Sequence, residues 1–350
     1  MRILLTGAAG FIGTATWREL VRAGHEVVAV DLVIPEAHGR ATRDDPPPAL
    51  HVLDVREAAG WADLFQGVDA VVHLAAMVGA GATAADLPLY AGHNDLGTAA
   101  VLAAMHAEGV SRVVQASSMV VYGEGSYTCP EHGGQAPGPR TDASLGGGEF
   151  DNPCPVCGGP LDWALVGEDA PLDPRSSYAV SKVAQEGYAS AWVRQAPGAA
   201  VSLRYHNVYG PGMPRDTPYS GVAAMFRSSL ERGAPPTVFE DGRQMRDFVH
   251  VDDVARANRA AVEAVVGHDV GSHRAYNVCS GHPIAIADVA RHVAAGSGRG
   301  LEPRVTGQYR IGDVRHVVAS PVRAAAELGF TAEVLPEDGL AAFATAPLRA

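Results

Sequence analysis

The chain has 350 residues, which predicts two lobes or one large α/β domain with a smaller cap, and excludes a small disulfide-stapled module. Hydrophobic residues at 47% and charged residues at 19% exclude wholesale disorder. The 39 acidic residues against 27 basic ones give a formal charge of −12, which argues against nucleic acid as a partner.

The start, Met1 to Gly7, is apolar for only three residues before small residues begin. That is too short for a signal-peptide core or a membrane span, so a cytoplasmic protein with no membrane partner is expected. Arg2 to Thr6 reads as a strand, Gly7-Ala-Ala-Gly10-Phe11-Ile12-Gly13 as a turn, and Thr14 to Ala23 as a helix closed by Gly24. His25 to Val30 follows as a second strand ending at Asp31. Glycines at this spacing let the backbone approach a pyrophosphate at a helix N-terminus, and Asp31 stands where a carboxylate accepts from an adenosine ribose. The same carboxylate repels a 2′-phosphate, which favours NAD over NADP. A plainer reading gives the glycines to helix packing and Asp31 to the end of a strand. Asp54, after Leu50 to Leu53, either meets the adenine edge or caps the next helix.

Further apolar runs at Leu50–Leu53, Ala70–Leu74, Arg112–Ser117 and Ala200–Tyr205 alternate with helical stretches at Asn94–Glu108 and Tyr178–Gln195. This alternation predicts an α/β fold with a doubly wound parallel Rossmann sheet. Glu124 to Asp173 breaks the rhythm, being rich in Gly, Pro, Asp and Cys, and needs something other than a core to tie it down. Within it, Cys129-Pro-Glu-His132 and Cys154-Pro-Val-Cys157 predict a structural zinc site of Cys129, His132, Cys154 and Cys157, with reduced or redox-active thiols as the alternative. Beyond Gly210 the pattern is mixed. Helices are expected at Tyr219–Arg232 and Val254–Val266, with extended segments at Thr237–Phe239 and Asp247–Val249.

Lys182 is the single lysine of the chain, and it falls four residues after Tyr178, on the same face of a helix. A neighbouring ammonium brings a phenol toward neutrality as an acid/base, although Tyr and Lys at that spacing also occur on solvated helices.

With these residues in place, the chain resembles the extended short-chain dehydrogenase/reductase family, in its nucleotide-sugar epimerase/dehydratase branch. The resemblance runs over nearly the whole length. It is carried by Gly7-x-x-Gly10-x-x-Gly13, His73-Leu-Ala-Ala76, Ser117-Ser118-Met-Val-Val-Tyr122-Gly123, Tyr178-x-x-x-Lys182, Arg204-Tyr-His-Asn207-Val-Tyr-Gly-Pro211 and Arg246-Asp-Phe-Val-His250-Val-Asp-Asp253, in family order. It implies tightly bound NAD held by Gly7, Gly10, Phe11, Ile12, Gly13, Asp31, Asp54, Val55, Leu74, Ala75, Ala76, Asn94, Tyr178, Lys182 and Tyr205. It further implies a catalytic set in which Ser118 hydrogen-bonds the reacting sugar oxygen, Tyr178 exchanges its proton and Lys182 holds the ribose and tunes the phenol. A nucleotide-diphosphate sugar would be held by Ser118, Asn207, Arg246, Arg310 and Asp313. Asn94 has a plainer role as the N-cap of the following helix.

Family dehydratases follow the motif hydroxyl with an acidic pair, whereas Met119 and Val120 follow Ser118 here. Dehydration and decarboxylation are therefore disfavoured, which leaves C4 epimerisation or 4-keto reduction. The cysteine insertion and the stretch Met213–Gly221 resemble dTDP-L-rhamnose 4-epimerases, implying interconversion of dTDP-L-rhamnose and dTDP-6-deoxy-L-talose through a 4-keto intermediate. The alternatives are an NAD(P)H-dependent 4-keto-sugar nucleotide reductase and a non-catalytic dinucleotide-sensing scaffold with a zinc loop for a partner. Residues 1–208 are expected to form the NAD-binding domain, with 124–173 as its insertion and about 243–276 returning to it. Residues 209–242 and 277–350 would form the smaller mixed α/β sugar-nucleotide lobe. The resemblance also implies a homodimer.

Overall fold

The computed structural model describes residues 1–34, 47, 49–79, 83–215 and 221–349. Asp216 to Ser220, which include part of the stretch Met213–Gly221 and the start of the helix expected from Tyr219, lie outside the described residues.

Seven parallel strands form the main sheet: β1 (Arg2–Thr6), β2 (Glu26–Asp31), β3 (His51–Val52), β4 (Ala70–His73), β5 (Arg112–Ser118), β6 (Ala199–Tyr205) and β7 (His273–Val278). Their order is β3-β2-β1-β4-β5-β6-β7, so the sheet changes winding direction between β1 and β4. Such a reversal opens a crevice at the carboxyl ends of the strands. Ile3 pairs with Val27 on one side and Ala70 on the other.

Both faces of the sheet are covered, which explains why its strands read as continuous apolar runs rather than as alternation. Ile3, Leu5, Val72, Val114 and Val201 pack toward helices α1 (Phe11–Arg22) and α4 (Val251–Val265). Leu4, Val71, Val113 and Ala200 pack toward α2 (Gly97–Ala107), α3 (Ser177–Gln195) and the 3₁₀ stretch Val55–Phe65.

The helix expected from Asn94 begins earlier. Leu87–Tyr90 opens it with Pro88 in its first turn, a π-helical turn follows at Ala91–Leu96, and α2 continues from there. Proline suits a first turn because its missing N–H is not needed there. Asn94 thus sits inside a helix instead of capping one, and its side chain turns inward.

Residues 124–173 are more ordered than their composition suggests. Ser126–Cys129, Gly133–Gln135 and Asp162–Ala164 form a three-stranded antiparallel sheet, and Asp142–Gly146 is a short helix. Strands of three or four residues are too short to show a period, and the insertion closes largely through polar contacts. A separate apolar cluster joins Tyr209, Met213, Phe226, Leu230, Phe248, Val289, Val293, Leu340 and Phe343, on segments that include the helices Val222–Glu231, Ile286–Gly296 and Pro336–Phe343. Among the described residues no helix is long and apolar enough to cross a membrane.

Candidate active site at the switch point of the sheet

The glycine turn joins β1 to α1. Gly7 has φ +71°, and a side chain there would meet the backbone of Leu74 and Ala75 at 2.7–2.8 Å. A side chain at Gly13 would collide with the Gly7 carbonyl, so both positions need glycine for backbone packing. Gly10 caps α1 without a side-chain hydrogen bond, leaving the first-turn N–H groups without intrahelical partners beside the cavity. That is an anion cradle suited to a pyrophosphate.

A cavity of about 370 Å³ runs along this turn. It brings together Gly7, Gly10, Phe11, Ile12, Gly13, Asp31, Asp54, Val55, Leu74, Ala75, Ala76, Tyr178, Lys182, Tyr205 and Asn207. Asp31 accepts from the N–H groups of Ala9 at 3.0 Å and Val33 at 2.8 Å, which fixes its carboxylate at the cavity wall. Asp54 both lines the cavity and caps the 3₁₀ stretch, accepting from the Arg56 N–H at 2.9 Å. The Arg56 side chain also hydrogen-bonds Asp54 and holds its carboxyl below the ordinary range. Asn94 does not reach the cavity lining. Fully buried, it accepts from the Met77 N–H at 2.7 Å and donates to the Met77 carbonyl and Ser181 Oγ, both at 2.9 Å, tying the loop after β4 to α3.

Tyr178 and Lys182 lie on one face of α3, with the ammonium 5.8 Å from the phenol ring centre. Lys182 Nζ donates to the Ala116 carbonyl at 3.0 Å, and burial pushes its pKa down to about 7. Burial likewise pushes the Tyr178 phenol up to about 12, opposed by its hydrogen bond with Ser118. Ser118 also accepts from the Val120 N–H at 3.4 Å at the end of β5, where the chain turns into Met119–Tyr122. The three candidate catalytic side chains therefore meet where β5 and α3 converge, and the phenol has a hydroxyl to exchange protons with.

Behind them lies an ion pair that sequence reasoning did not single out. Glu186, one turn beyond Lys182, takes the Arg204 guanidinium on both oxygens at 2.9 and 2.7 Å, and Ser117 Oγ donates to it at 2.5 Å. Arg204 also donates to Tyr122 Oη and the Glu168 carbonyl, both at 2.8 Å. A glutamate on the continued Tyr-x-x-x-Lys face, facing an arginine inside an apolar strand, was the available signal. His93, Met77, Val222 and Phe248 also line the cavity, on residue types that carry no such signal.

Among the expected sugar-nucleotide residues, Asn207 lines the cavity and donates to the Asp247 carbonyl at 2.8 Å and toward Met119 Sδ at 3.5 Å. Ser118, Arg246, Arg310 and Asp313 are not part of that lining. The Arg246 fork, expected to face a diphosphate, is engaged by the carbonyls of Met245, Arg315 and Val314 at 2.6–2.8 Å, because a buried guanidinium takes its nearest acceptors. Arg310 lies exposed over the Phe239 ring at 5.0 Å. Arg349, also missed, donates to the Ala9 carbonyl at 2.6 Å and Thr14 Oγ1 at 2.8 Å, inside the glycine turn.

In the insertion, the ligand atoms of Cys129, His132, Cys154 and Cys157 all lie within 4.8 Å of one another. Cys129 Sγ is 3.4 Å from His132 Nδ1 and 3.9 Å from Cys157 Sγ, and Cys154 Sγ is 3.9 Å from His132 Nδ1. Tetrahedral zinc with Zn–S near 2.3 Å separates sulfurs by about 3.8 Å, so the donor set fits that ion. Neither these three cysteines nor Cys279 forms a disulfide.

A dinucleotide cradle at the switch point, with a serine, a tyrosine and a lysine converging beside it, defines an enzyme that moves hydride and proton at a carbinol. The chain belongs to the NAD dependent epimerase/dehydratase family, whose pattern matches residues 3–142 and 162–279. The unmatched stretch between them contains Cys154 and Cys157. The chain is 33% identical to the dTDP-L-rhamnose 4-epimerase of Burkholderia thailandensis, over 97% of this chain and 93% of that one. Among solved structures it is similar to MoeE5 in complex with UDP-glucuronic acid and NAD, at 31% identity, TM-score 0.75 and 98% coverage of both chains. It is also similar to the UDP-glucose 4-epimerase of Thermus thermophilus in complex with NAD, at 28% identity, TM-score 0.74 and 98% coverage of both. The protein is thus an NAD-dependent nucleotide-sugar epimerase by family, and the catalytically silent scaffold is set aside.

Proposed function

We propose that the protein interconverts dTDP-L-rhamnose and dTDP-6-deoxy-L-talose by epimerisation at C4. The observation that carries this reading is the full-length similarity to a dTDP-L-rhamnose 4-epimerase, joined to a site that offers proton exchange at one carbinol and, in Met119 and Val120, no acid for elimination beside Ser118.

In this reading NAD, when bound, supplies a hydride acceptor and donor at C4. Gly7, Gly10, Phe11, Ile12 and Gly13 hold its pyrophosphate at the start of α1, Asp31 its adenosine ribose, and Asp54 with Val55 its adenine edge. Leu74, Ala75, Ala76 and Tyr205 flank it, Asn94 steadies the loop behind it, and Lys182 holds the second ribose. Tyr178 takes the proton of the C4 hydroxyl and returns it, with Ser118 hydrogen-bonding the same oxygen. The Lys182 ammonium favours the phenolate, and the 4-keto sugar turns about its diphosphate before reduction on its other face. Asn207, Arg246, Arg310 and Asp313 hold the sugar nucleotide, which requires the Arg246 fork to exchange a carbonyl for phosphate oxygen.

The two-lobe division at 1–208 with 243–276, and 209–242 with 277–350, is supported by the apolar cluster of Tyr209, Phe226, Val289, Leu340 and Phe343, although Asn277 and Val278 complete β7 and Ala324 and Phe330 pack into the core of the main sheet. Zinc at Cys129, His132, Cys154 and Cys157 is supported by the ligand spacing. Metal analysis should find one zinc per chain, with Cys154→Ser and Cys157→Ser each losing it and lowering Tm; metal-free protein of unchanged Tm would remove the assignment. A homodimer through α3 is supported by exposed Val180 and Tyr188 on that helix, and Leu96 on the helix packed against it.

Proton NMR of dTDP-L-rhamnose incubated with the protein, without added cofactor, tests the reading. A new C4 epimer that depends on Tyr178 supports it. No conversion, with turnover of UDP-glucuronic acid or UDP-glucose instead, overturns the choice of sugar. Stoichiometric consumption of added NADH or NADPH would favour the 4-ketoreductase.

A further inference from the structure

The insertion touches the segment that presents Arg310 and Asp313, and the contact is built around one buried side chain. The Arg140 side chain is 3% exposed, and its Nη2 donates to the Asp313 carbonyl at 2.7 Å while pairing with Glu240 Oε1 at 2.9 Å. Its Nη1 donates to the Phe150 carbonyl at 3.0 Å. Glu240 holds the left-handed backbone conformation, φ +52°, at a residue that is not glycine, which surrounding contacts must hold in place. Its carboxylate is shared between Arg140 and Arg315 Nη1, the latter at 2.8 Å. Its N–H donates to the Gln308 carbonyl at 2.7 Å, and its carbonyl accepts from the Gly307 N–H at 3.1 Å. Two residues past Arg140, Asp142 Oδ1 accepts from Tyr309 Oη at 2.8 Å. Residues 307–309 and 313 are thus gripped on either side of Arg310, which itself is exposed.

We infer that Arg140, a residue of the insertion, is a positioning residue for the sugar-nucleotide site: it fixes the backbone from which Arg310 and Asp313 project. The inference rests on the reading above that these two residues touch the sugar nucleotide. A guanidinium is needed because one planar fork meets the Glu240 carboxylate and two carbonyls at once, whereas an ammonium satisfies the carboxylate without spanning all three. The insertion therefore bears on substrate affinity and leaves the hydride and proton chemistry at Tyr178 alone.

Dissociation constants of dTDP and of UDP, measured by calorimetry on the NAD-loaded protein, test it alongside NAD content and Tm. Arg310→Ala is the reference for the site. Arg140→Ala is expected to weaken nucleotide binding about tenfold, Arg140→Lys about threefold and Tyr309→Phe about twofold, with NAD content unchanged. Should Arg140→Ala fail to fold because buried Glu240 loses one of its two cationic partners, Arg140→Lys and Tyr309→Phe decide. Nucleotide affinities equal to the parent's in both, with Arg310→Ala impaired, overturn the positioning role and leave a structural brace. Parental affinity in Arg310→Ala instead removes the segment from the site, and the inference falls with that reading.

Discussion

Around the cavity, Lys182 is 2% exposed and donates to the Ala116 carbonyl, and the Tyr178 phenol meets the Ser118 hydroxyl. Where the insertion meets the segments carrying Glu240 and Arg315, Arg315 has no exposed surface, yet its guanidinium is gripped by Asp151, Glu240 and Asp241 at 2.7–2.9 Å. Both regions bury a cation, but Arg315 meets carboxylates directly whereas Lys182 has Glu186 only one helical turn away. The thinly partnered pair has its protonation shifted by burial and can respond to a ligand, whereas the saturated cluster is locked as a shape. Chemistry and scaffolding are thereby separated although both are built from charged side chains.

The sharpest way to break this contrast is at the phenol. Tyr178→Phe removes the group proposed to exchange the proton and should lower turnover by about 10²–10⁴-fold, as read by NMR of the sugar, with NAD content of the purified protein unchanged. Turnover near the parent's would mean that another group carries the proton. Next comes the pair behind the site. Arg204→Ala leaves Glu186 charged, 7% exposed and facing Ser117, and should cost about 3–5 kcal/mol of stability by urea denaturation. If it costs no more than an exposed pair, burial does not lock the Glu186–Arg204 pair behind the site.

Lys182 gives the opposite signature. Its pKa falls from an ordinary 10.5 to about 7 on burial, so between these values the unfolded chain binds more protons than the folded one. Stability of NAD-free protein should therefore rise as pH increases from about 7 toward 10.5, the penalty being complete below that window. Lys182→Met should flatten the rise and stabilise the protein at pH 7. A parent urea midpoint with no greater rise between pH 7 and 9.5 than that of Lys182→Met would mean that the ammonium is solvated.

These two regions also differ in how far the sequence discloses them. The sheet and glycine turn are legible because local chemistry dictates them: Gly7 and Gly13 admit no side chain, Asp31 ends a buried strand, and the i, i+4 pair of Tyr178 and Lys182 follows from helix geometry. Strands buried on both faces announce themselves as apolar runs. Asn94 was misplaced as a helix start because the π turn and Pro88 move the start upstream, which no capping rule reveals. Arg140, Glu240 and Arg315 are illegible for a different reason, since each is an ordinary surface residue type whose partner lies about 75 to 100 positions away, as 140 is from 240 and 240 from 315. The cysteine cluster is the exception in the insertion, because metal ligands cluster by local spacing.

The smallest effect concerns a contact that crosses from one region type to the other. Arg349 is a distant residue with no motif, yet it donates to the Ala9 carbonyl and Thr14 Oγ1 inside the most legible element of the chain. Its own backbone is paired to Met213 and Arg215, on the segment leading to the cavity wall at Pro214. Removing its side chain leaves the glycine turn folded, since Gly7, Gly10 and Gly13 are held by β1, β4 and α1. What is lost is one cation beside the pyrophosphate cradle and one brace on the turn. Arg349→Ala should therefore release NAD a few-fold faster in a competition assay, an effect of about 1 kcal/mol, with Tm nearly unchanged. Unchanged release would confine cofactor retention to the glycine turn and its immediate neighbours, so that motif and site coincide in that half of the molecule. Faster release with a large fall in Tm would instead make the contact a structural brace, and would place this stretch with the insertion among the regions that hold shape.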